Sequence, residues 1–210
     1  MGSPEDLVSA CRAAGVADTR VLDAVRAVPR ARFVPPALTA RAYLDQPLPI
    51  PHGQVTTQPS LVARMVASLG LRGGERVLEV GTGYGWQTAL LAALGADVFS
   101  VERFSDVAET ARGHLAGARV ENAEVVVGDG STGLPEHAPY DAILVSAAFP
   151  EVPEPLAAQL AEGGRLVQPI GWGGAEDVVL FEKSGGDLVR REFVSGAHFV
   201  RLYGAHAFDE

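Results

Sequence analysis

The sequence has 210 residues, of which 47% are hydrophobic, and this is enough to bury the core of one domain. A formal net charge of −9 and a single lysine, Lys183, argue against partners with a phosphate backbone and against an anionic membrane. The only cysteine, Cys11, excludes an intramolecular disulfide and any metal site built from several cysteines.

The first residues, MGSPEDLVSACRAAGV, are acidic where a signal peptide needs positive charge, and no apolar run follows them. No later stretch approaches the roughly 18 consecutive apolar residues that a membrane-spanning helix needs. The sequence therefore predicts a cytoplasmic protein without a membrane segment, and it does not define the oligomeric state.

Two helices are predicted at the start, over 4–14 and 18–28, because apolar residues recur there at helical spacing. Asp18 is placed to cap the second helix. Residues 29–59 are rich in proline, which predicts irregular structure, yet they also contain large apolar side chains. We expect such a segment to pack over the rest of the molecule, and structured loops of this kind are often functional.

From residue 60 the pattern alternates between helix and strand. Helices are predicted at 60–69, 86–94, 104–116 and 153–162, and strands at 76–80, 97–101, 123–127, 141–146, 165–170, 178–183 and 187–194. This alternation indicates an α/β fold with a doubly wound, mostly parallel sheet and helices on both faces. The last two strands flank a Gly-Gly turn and suggest an antiparallel edge. One domain is expected over 1–210, with an N-terminal helical and loop extension (1–59) on a core of 60–210.

Residues 77–88 read VLEVGTGYGWQT, which places three glycines between a short apolar strand and the start of a helix. Gly81, Gly83 and Gly85 stand where a side chain would strain the turn or block a ligand from the backbone. A strand, a glycine turn and a helix N-terminus together form a cradle for a nucleotide. The spacing differs from the G-x-G-x-x-G of dinucleotide folds, because Trp86 occupies the last position.

Acidic residues close the next two strands. Glu102 ends the strand SVE, where its carboxylate can accept hydrogen bonds from both hydroxyls of a ribose. Asp129 and Gly130 follow the next strand in the sequence GDG, and Asp129 can contact an adenine amino group. These positions lie at the carboxyl ends of neighbouring strands, where open α/β sheets bind ligands. The sequence therefore predicts a ligand that contains a nucleoside.

The sequence resembles the protein-L-isoaspartate O-methyltransferase family, within the Rossmann-like class of S-adenosylmethionine-dependent methyltransferases. The matching stretches are VPRARFVPP (28–36), AYLDQPLPI (42–50), GQVTTQP (53–59), RVLEVGTGYGWQTALLA (76–92), GDGSTGLPEHAPYDAILVSAA (128–148), GGRLVQPIG (163–171) and HFVRLYG (198–204), which resembles the family's closing strand. The combination of GQ-x-x-[ST]-Q-P with GDG-x-x-G is specific, because other methyltransferases share only the glycine turn. The resemblance implies a Rossmann-like fold and S-adenosylmethionine as cofactor, with S-adenosylhomocysteine as its product.

The resemblance also implies roles for individual residues. Thr57 occupies the serine/threonine position of GQVTTQP and is expected to orient the reacting carboxylate, a role compatible with that of a helix N-cap. Gln54, Val55 and Thr56 lie in the same loop and are expected to flank the cofactor. Glu79 precedes the glycine turn, where it is either an acidic group near the sulfonium or an ordinary charge at a strand end.

The activity implied by the resemblance is methylation of the free carboxylate of L-isoaspartyl residues in damaged proteins and peptides. Such a carboxylate is ionised at neutral pH, so it needs alignment and the exclusion of water rather than a strong base. The methyl ester then cyclises to a succinimide, and hydrolysis returns some normal aspartate.

Two other functions stay open. Arg201 and Tyr203 depart from the family pattern in the closing strand and can alter which peptides fit. The first alternative is the activity of some bacterial relatives, which methylate one aspartate of a ribosomally made peptide to form an aspartimide. A non-catalytic module that binds S-adenosylmethionine is the second alternative, which the retained Thr57 disfavours. No metal is expected, because His198 and His206 share no ligand spacing with acids or cysteine.

Overall fold

The computed structural model describes residues 2–209, and its centre is one seven-stranded sheet. In chain order the strands are β1 (Leu48–Pro49), β2 (Val55–Thr56), β3 (Arg76–Val80), β4 (Asp97–Glu102), β5 (Ala123–Val127), β6 (Tyr140–Val145), β7 (Leu160–Ile170), β8 (Glu176–Ser184) and β9 (Asp187–Ala197). The helices are α1 (Pro4–Ala13), α2 (Thr19–Ala27), α3 (Pro59–Ser68), α4 (Trp86–Ala93), α5 (Ser105–Gly117) and α6 (Glu154–Gln159). None of the helices described over residues 2–209 is long and apolar enough to cross a membrane.

The strand order of the large sheet is β5-β4-β3-β6-β7-β8-β9. Strands β3 to β7 run parallel to one another, whereas β8 and β9 pair antiparallel at one edge. The chain winds outward from β3 in one direction and from β6 in the other, so the order reverses between these two strands. The predicted Rossmann-like α/β fold with an antiparallel edge is confirmed, and ligands bind at such a reversal in open sheets.

Alternating side chains of the central strands bury into two separate hydrophobic clusters. On β3, Val77 faces the cluster that includes residues of α1 to α5, whereas Leu78 and Val80 face the opposite cluster. That second cluster is closed by Leu156 of α6 and by Leu202 of the C-terminal segment. Both faces of the parallel strands are therefore covered, as strands of this kind require.

The N-terminal extension follows the predicted pattern closely. Helices α1 and α2 end within one residue of the expected bounds, and the Asp18 carboxylate accepts hydrogen bonds from the N–H groups of Arg20 and Val21 at 2.9 and 3.5 Å. The proline-rich segment forms two short 3₁₀ helices and the β1–β2 hairpin. Phe33 and Leu48 are fully buried in it, so this segment packs against the molecule as expected.

One predicted helix is too long. The expected helix over 153–162 ends at Gln159, and β7 begins at Leu160 instead of residue 165. The buried side chain of Gln159 is held by the N–H of Leu134 at 2.9 Å and the carbonyl of Thr132 at 2.8 Å. Leu160 then pairs with Tyr140, and the register shifts before the next pairs. These contacts end the helix and begin the strand before the chain reaches Gly163 and Gly164, where the sequence predicts the end of the helix.

The expected closing strand over 198–204 is only a short bridge. The N–H of Ala148 donates to the carbonyl of Val200 and the N–H of Leu202 donates to the carbonyl of Ala148, both at 2.8 Å. The carbonyl of Leu202 then accepts from the N–H of Phe208, so the chain turns back before a regular strand can form.

Candidate active site

The glycine turn between β3 and α4 has a backbone that glycine adopts easily and other residues do not. Gly81, Gly83 and Gly85 have φ angles of 93°, 53° and 89°, in the left-handed region. Among the described residues, a Cβ on Gly83 would have only Ile50 within 4 Å, at 3.8 Å, so this part of the turn has room beside its backbone. Gly85 is the N-cap of α4, so the turn delivers a helix N-terminus to the same place.

Glu102 ties the glycine turn to the neighbouring strand. Its side chain is 7% exposed; Oε2 accepts a hydrogen bond from the N–H of Gly83 at 2.9 Å, and Oε1 accepts one from the N–H of Phe104 at 3.1 Å. Each carboxylate oxygen keeps a second acceptor position. The predicted hydrogen bonds from ribose hydroxyls therefore remain available to it.

A cavity of about 510 Å³ lies over the turn at the carboxyl ends of the central strands. We call it the first cavity, and its volume falls within the roughly 300–1,000 Å³ of typical small-molecule sites. Nine of the predicted site residues line it: Gln54, Val55, Thr56, Thr57, Gly81, Gly83, Gly85, Glu102 and Gly130. Over residues 2–209, no group of three or more histidine, cysteine or acidic side chains could hold a metal ion.

Glu79 lies behind the wall of the first cavity rather than on it. Its buried carboxylate accepts from the hydroxyls of Thr88 and Ser100 at 2.5 and 2.6 Å, and from Nε2 of Gln87 at 2.9 Å. Burial raises the pKa of Glu79 to about 7, although these hydrogen bonds lower it. Its side chain reaches toward α4 because alternate residues of a strand face opposite sides. Gln87 does line the cavity, so its amide links Glu79 to a ligand there.

Asp129 is also absent from the wall of the first cavity. Its Oδ1 accepts from the N–H and hydroxyl of Ser131 at 2.8 and 2.7 Å, and its Oδ2 accepts from the N–H of Ala205 at 2.7 Å. Burial raises the pKa of Asp129, but these hydrogen bonds outweigh burial and hold the pKa below its ordinary value. A Cβ on Gly204 would clash with this carboxylate. Asp129 thus anchors the C-terminal segment, and within GDG it is Gly130 that reaches the cavity.

Thr57 lies at the boundary between the first cavity and a second one of about 500 Å³. Of the described residues, four line both cavities, two of them apolar and two carrying hydroxyls: Val55, Val200, Thr57 and Ser146. In the part of the chain that the structure describes, no group forms a hydrogen bond with the Thr57 hydroxyl. This hydroxyl is therefore available to a ligand.

Two residues that fix the loop carrying Thr57 were not identified from the sequence. Asp45 accepts a hydrogen bond from the N–H of Ser60 at 2.8 Å, so it caps α3 in place of Thr57. Arg30 is 1% exposed and donates to Thr56 Oγ1 at 2.9 Å and to three carbonyls of the proline-rich segment, while burial lowers its pKa to about 10. Their partners lie 15 and 26 residues away, so no local pattern reveals either contact.

A row of stacked side chains forms one side of the first cavity. The His52 ring stacks on Phe104 with 4.1 Å between centroids, and its Nε2 lies 2.9 Å from a carboxylate oxygen of Asp106. The Arg103 guanidinium lies over the rings of Phe104 and Tyr203, at 5.6 and 5.5 Å. This row joins the proline-rich segment, the β4–α5 loop and the C-terminal segment. Tyr203, which the sequence marks as unusual, is thus part of the cavity wall.

Comparison with known proteins gives one consistent match. The family model described as protein-L-isoaspartate(D-aspartate) O-methyltransferase (PCMT) matches residues 3–207. A protein-L-isoaspartate O-methyltransferase of Methanoculleus marisnigri is 52% identical over 193 residues, covering 92% of this chain and 87% of that protein. The enzyme of that name from Anaeromyxobacter dehalogenans is also 52% identical, covering 90% of this chain and 91% of its own.

Solved structures agree with these matches. A protein-L-isoaspartate O-methyltransferase superposes with a TM-score of 0.85 and 32% identity, covering 97% of this chain and 67% of that one. A Plasmodium falciparum protein described as a relative of the same kind, in complex with S-adenosyl-L-homocysteine, shares the fold with a TM-score of 0.83 and 23% identity, covering 97% and 99% of the two chains.

Proposed function

The chain belongs to the protein-L-isoaspartate(D-aspartate) O-methyltransferase family, and we propose that it methylates the free carboxylate of L-isoaspartyl residues in damaged proteins and peptides. It is an S-adenosylmethionine-dependent enzyme. The observation that carries the proposal is the Thr57 hydroxyl at the boundary between a glycine-lined cavity and a second cavity. The first cavity would hold the cofactor, and the second would admit the peptide.

The first cavity fits the chemistry of the cofactor. Gly83 leaves room for a ligand to approach the backbone, and Glu102 offers unused acceptor positions to ribose hydroxyls. The Trp86 ring also lines the cavity and is fixed there by a hydrogen bond from Nε1 to the carbonyl of Val28 at 3.1 Å. When bound, S-adenosylmethionine supplies a methyl group whose bond to sulfur breaks as a carboxylate oxygen bonds to its carbon, leaving S-adenosylhomocysteine.

Thr57 serves this reaction by alignment. An isoaspartyl carboxylate is already ionised near pH 7, so no side chain has to remove a proton from it. The Thr57 hydroxyl can donate a hydrogen bond to one carboxylate oxygen and so fix the direction of the other. The apolar Val55 and Val200 flank the same boundary and would limit the access of water to the reacting atoms.

The second cavity is shaped by the antiparallel edge of the sheet. Arg64 of α3 donates to Ser195 Oγ at 3.1 Å and to the carbonyl of Val194, which holds the end of β9 against α3. His198 and Phe199 continue the wall toward Val200 at the boundary. A peptide lying here would present its carboxylate to Thr57. The acidic net charge of −9 favours peptide and protein partners over nucleic acid or membrane, and cytoplasmic residence stays a prediction.

Neither alternative function gains support from a particular observation. The relatives at 52% identity carry the isoaspartate name, which favours repair over the tailoring of one aspartate in a dedicated peptide. A binding module without catalysis would not need a free hydroxyl between two cavities, and Thr57 supplies one.

Incubation with labelled methyl donor and two matched peptides tests the proposal. The peptides differ only in having isoaspartate or normal aspartate at one position. We expect base-labile label on the isoaspartyl peptide alone. Label on the normal aspartate of a single peptide would indicate tailoring, and calorimetric cofactor binding without turnover would indicate a binding module.

Thr57 is tested by a pair of substitutions that differ in the hydroxyl. Thr57→Ser keeps the donor and is expected to retain most activity. Thr57→Val keeps the shape and removes the donor, so single-turnover methylation should fall by about 10- to 1,000-fold with nearly unchanged cofactor affinity. Because Asp45 caps α3, the melting temperature should move little. A fully active Thr57→Val enzyme would remove Thr57 from the reaction.

A further inference from the structure

Ser146 occupies a position in the cavities that no part of the sequence pattern singled out. It directly follows the central strand β6, and its N–H donates to the carbonyl of Val80 at 2.8 Å, which fixes its backbone beside the glycine turn. A Cβ on Gly81 would lie 3.4 Å from the Ser146 Cβ, so a larger residue at position 81 would crowd the serine side chain. Ser146 shares with Thr57 the property of lining both cavities and carrying a hydroxyl.

The hydrogen bonds around Gln87 determine what the Ser146 hydroxyl can do. Nε2 of Gln87 lies 2.9 Å from Glu79 Oε1 and 2.9 Å from Ser146 Oγ. An amide nitrogen carries two hydrogens, so both are used in these two contacts. Ser146 Oγ therefore accepts from Gln87, and its own hydrogen points elsewhere.

The carboxylate of Glu79 imposes this orientation of the amide. When Glu79 is ionised it has no hydrogen to donate, and turning the amide over would place two oxygens against each other. The cost of the observed orientation is visible, because Oε1 of Gln87 is buried without a hydrogen-bond partner among the described residues.

The donor capacity of Ser146 is unused among the residues that the structure describes. Over residues 2–209, its hydroxyl has the contact with Gln87 and no acceptor for its own hydrogen. A hydroxyl that is held by one neighbour and unused as a donor is prepared to bind an acceptor from outside. At the boundary of the two cavities, the acceptor that the proposed function brings is the substrate carboxylate.

We infer that Ser146 is a second hydrogen-bond donor to the substrate carboxylate, acting together with Thr57. This inference rests on the proposed function. A carboxylate has two oxygens, and one donor alone leaves it free to rotate about that hydrogen bond. Donors from two different elements, the loop before α3 and the end of β6, restrict the rotation and hold the attacking oxygen in one direction. No proton is transferred, so Ser146 positions the substrate.

Binding measurements on Ser146 variants test the inference apart from catalysis. At pH 8, calorimetry first measures S-adenosylhomocysteine affinity and then titrates an isoaspartyl peptide into that complex. For Ser146→Ala we expect peptide binding to weaken about 10-fold or more, the usual scale for a hydrogen bond to a charged group, with cofactor-product affinity changed less than about 2-fold. The value of kcat/KM should fall by about 10- to 100-fold.

Matched variants separate the hydroxyl from packing. Ser146→Thr and Ser146→Val have nearly the same shape, so the threonine enzyme should bind the peptide at least about 10-fold more tightly than the valine enzyme. This pair keeps the test decisive if Ser146→Ala is unstable. Ser9→Ala is the control, because Ser9 lies on the exposed face of α1 and lines neither cavity.

Two results would overturn the inference. An equal loss of S-adenosylhomocysteine and peptide affinity would show that Ser146 serves the cofactor, and unchanged peptide binding in Ser146→Ala would show that it has no role. Failure of the proposed function itself looks different, because the unmodified enzyme and Ser9→Ala would then also leave the isoaspartyl peptide unmethylated.

Discussion

Glu102 joins the glycine turn to the site through a single carboxylate, which makes it the sharpest test of the cofactor position. Glu102→Ala is expected to weaken S-adenosylmethionine binding by about 1.5–3 kcal/mol, or about 10- to 150-fold, because hydrogen bonds to a charged acceptor are lost. Glu102→Gln keeps one acceptor oxygen, so its affinity for S-adenosylmethionine should lie between those of the unmodified protein and Glu102→Ala. Calorimetry gives the affinities, and circular dichroism checks that the helices persist.

The control for Glu102 is Glu124→Ala, which removes an exposed carboxylate from the neighbouring strand β5. It should leave cofactor affinity unchanged. If Glu102→Ala is folded and binds the cofactor as well as the unmodified protein does, Glu102 is not part of the site.

Glu79 is expected to make the free energy of unfolding depend on pH. Its pKa is raised in the folded protein from the ordinary 4.5 to about 7, mainly by burial, so the native state binds this proton more tightly than the unfolded state. Stability therefore falls as pH rises from 4.5 to 7, by up to about 3 kcal/mol from this group, and the loss is complete above 7. Urea unfolding at several pH values, compared with Glu79→Gln, isolates the effect.

The Glu79→Gln protein should have a flatter stability profile between pH 5 and 7, since glutamine does not titrate. Asp129 and Glu75, whose pKa values are lowered, act in the opposite sense at lower pH and are common to both proteins. Parallel profiles for the two proteins would contradict a raised pKa of Glu79.

At the scale of elements, Lys183 completes the C-terminus of α6. Its ammonium donates to the carbonyls of Ala157 and Leu160 at 2.9 and 2.8 Å, the orphan carbonyls that a helix end leaves. Lys183→Met is expected to lower the free energy of unfolding by only about 1 kcal/mol, because the lysine side chain is partly open to solvent. The melting temperature should fall by about 2–4 °C. Scanning calorimetry measures this shift.

Arg191→Met is the matched control for Lys183→Met, since it also replaces one positive charge by methionine. Arg191 of β9 pairs with Glu182 at 3.3 Å on the exposed surface, where ion pairs contribute little. Equal shifts in the two variants would mean that Lys183 does not cap α6.

The elements that the sequence predicts well are those fixed by neighbours in the chain. The bounds of β3 and β5 were predicted to the residue, and the turn after β3 follows from the glycine spacing alone. The end of α6 was not predictable, because Gln159 is captured by a segment about 25 residues earlier in the chain.

The same distinction applies to the site. Gly83 and Glu102 lie on the cavity wall because strand ends converge at one edge of the sheet. Asp129, by contrast, is held by Ala205 from the far end of the chain, a contact that no local pattern contains. Ser146 was missed because a single serine after an apolar strand is common, and it is distinguished by its place on both cavity walls and by its contact with Gln87.

At the scale of the whole molecule, the N-terminal extension shares its core with the sheet. One hydrophobic cluster runs from Leu7 and Cys11 of α1 through Met65 of α3 to Leu90 of α4 and Val98 of β4. We therefore propose that residues 1–59 and 60–210 unfold as one domain. A small cluster of Val34, Ala42 and Leu48 lies within the extension alone, but α1 and α2 contribute nothing to it and are buried in the cluster shared with the sheet.

Cys11 provides a direct test of this cooperativity, because it is the only thiol and is completely buried on α1. Burial, with a smaller contribution from the charge of Asp45, raises its pKa to about 11, so the native thiol is both covered and protonated at pH 8. Labelling then requires α1 to open. If α1 unfolds only with the sheet, the opening free energy from labelling rates in urea should equal the global free energy of unfolding.

The fluorescence of Trp86, the first residue of α4, reports the global transition, because its side chain is only 6% exposed in the folded protein. Trp172→Phe removes the other tryptophan, which is exposed. Ser9→Cys in a Cys11→Ala background places a thiol on the exposed face of the same helix and should react at once. Labelling of Cys11 at urea concentrations well below the Trp86 transition would show that the extension opens independently. Coincidence of the two would mean that α1 opens only when the entire core unfolds.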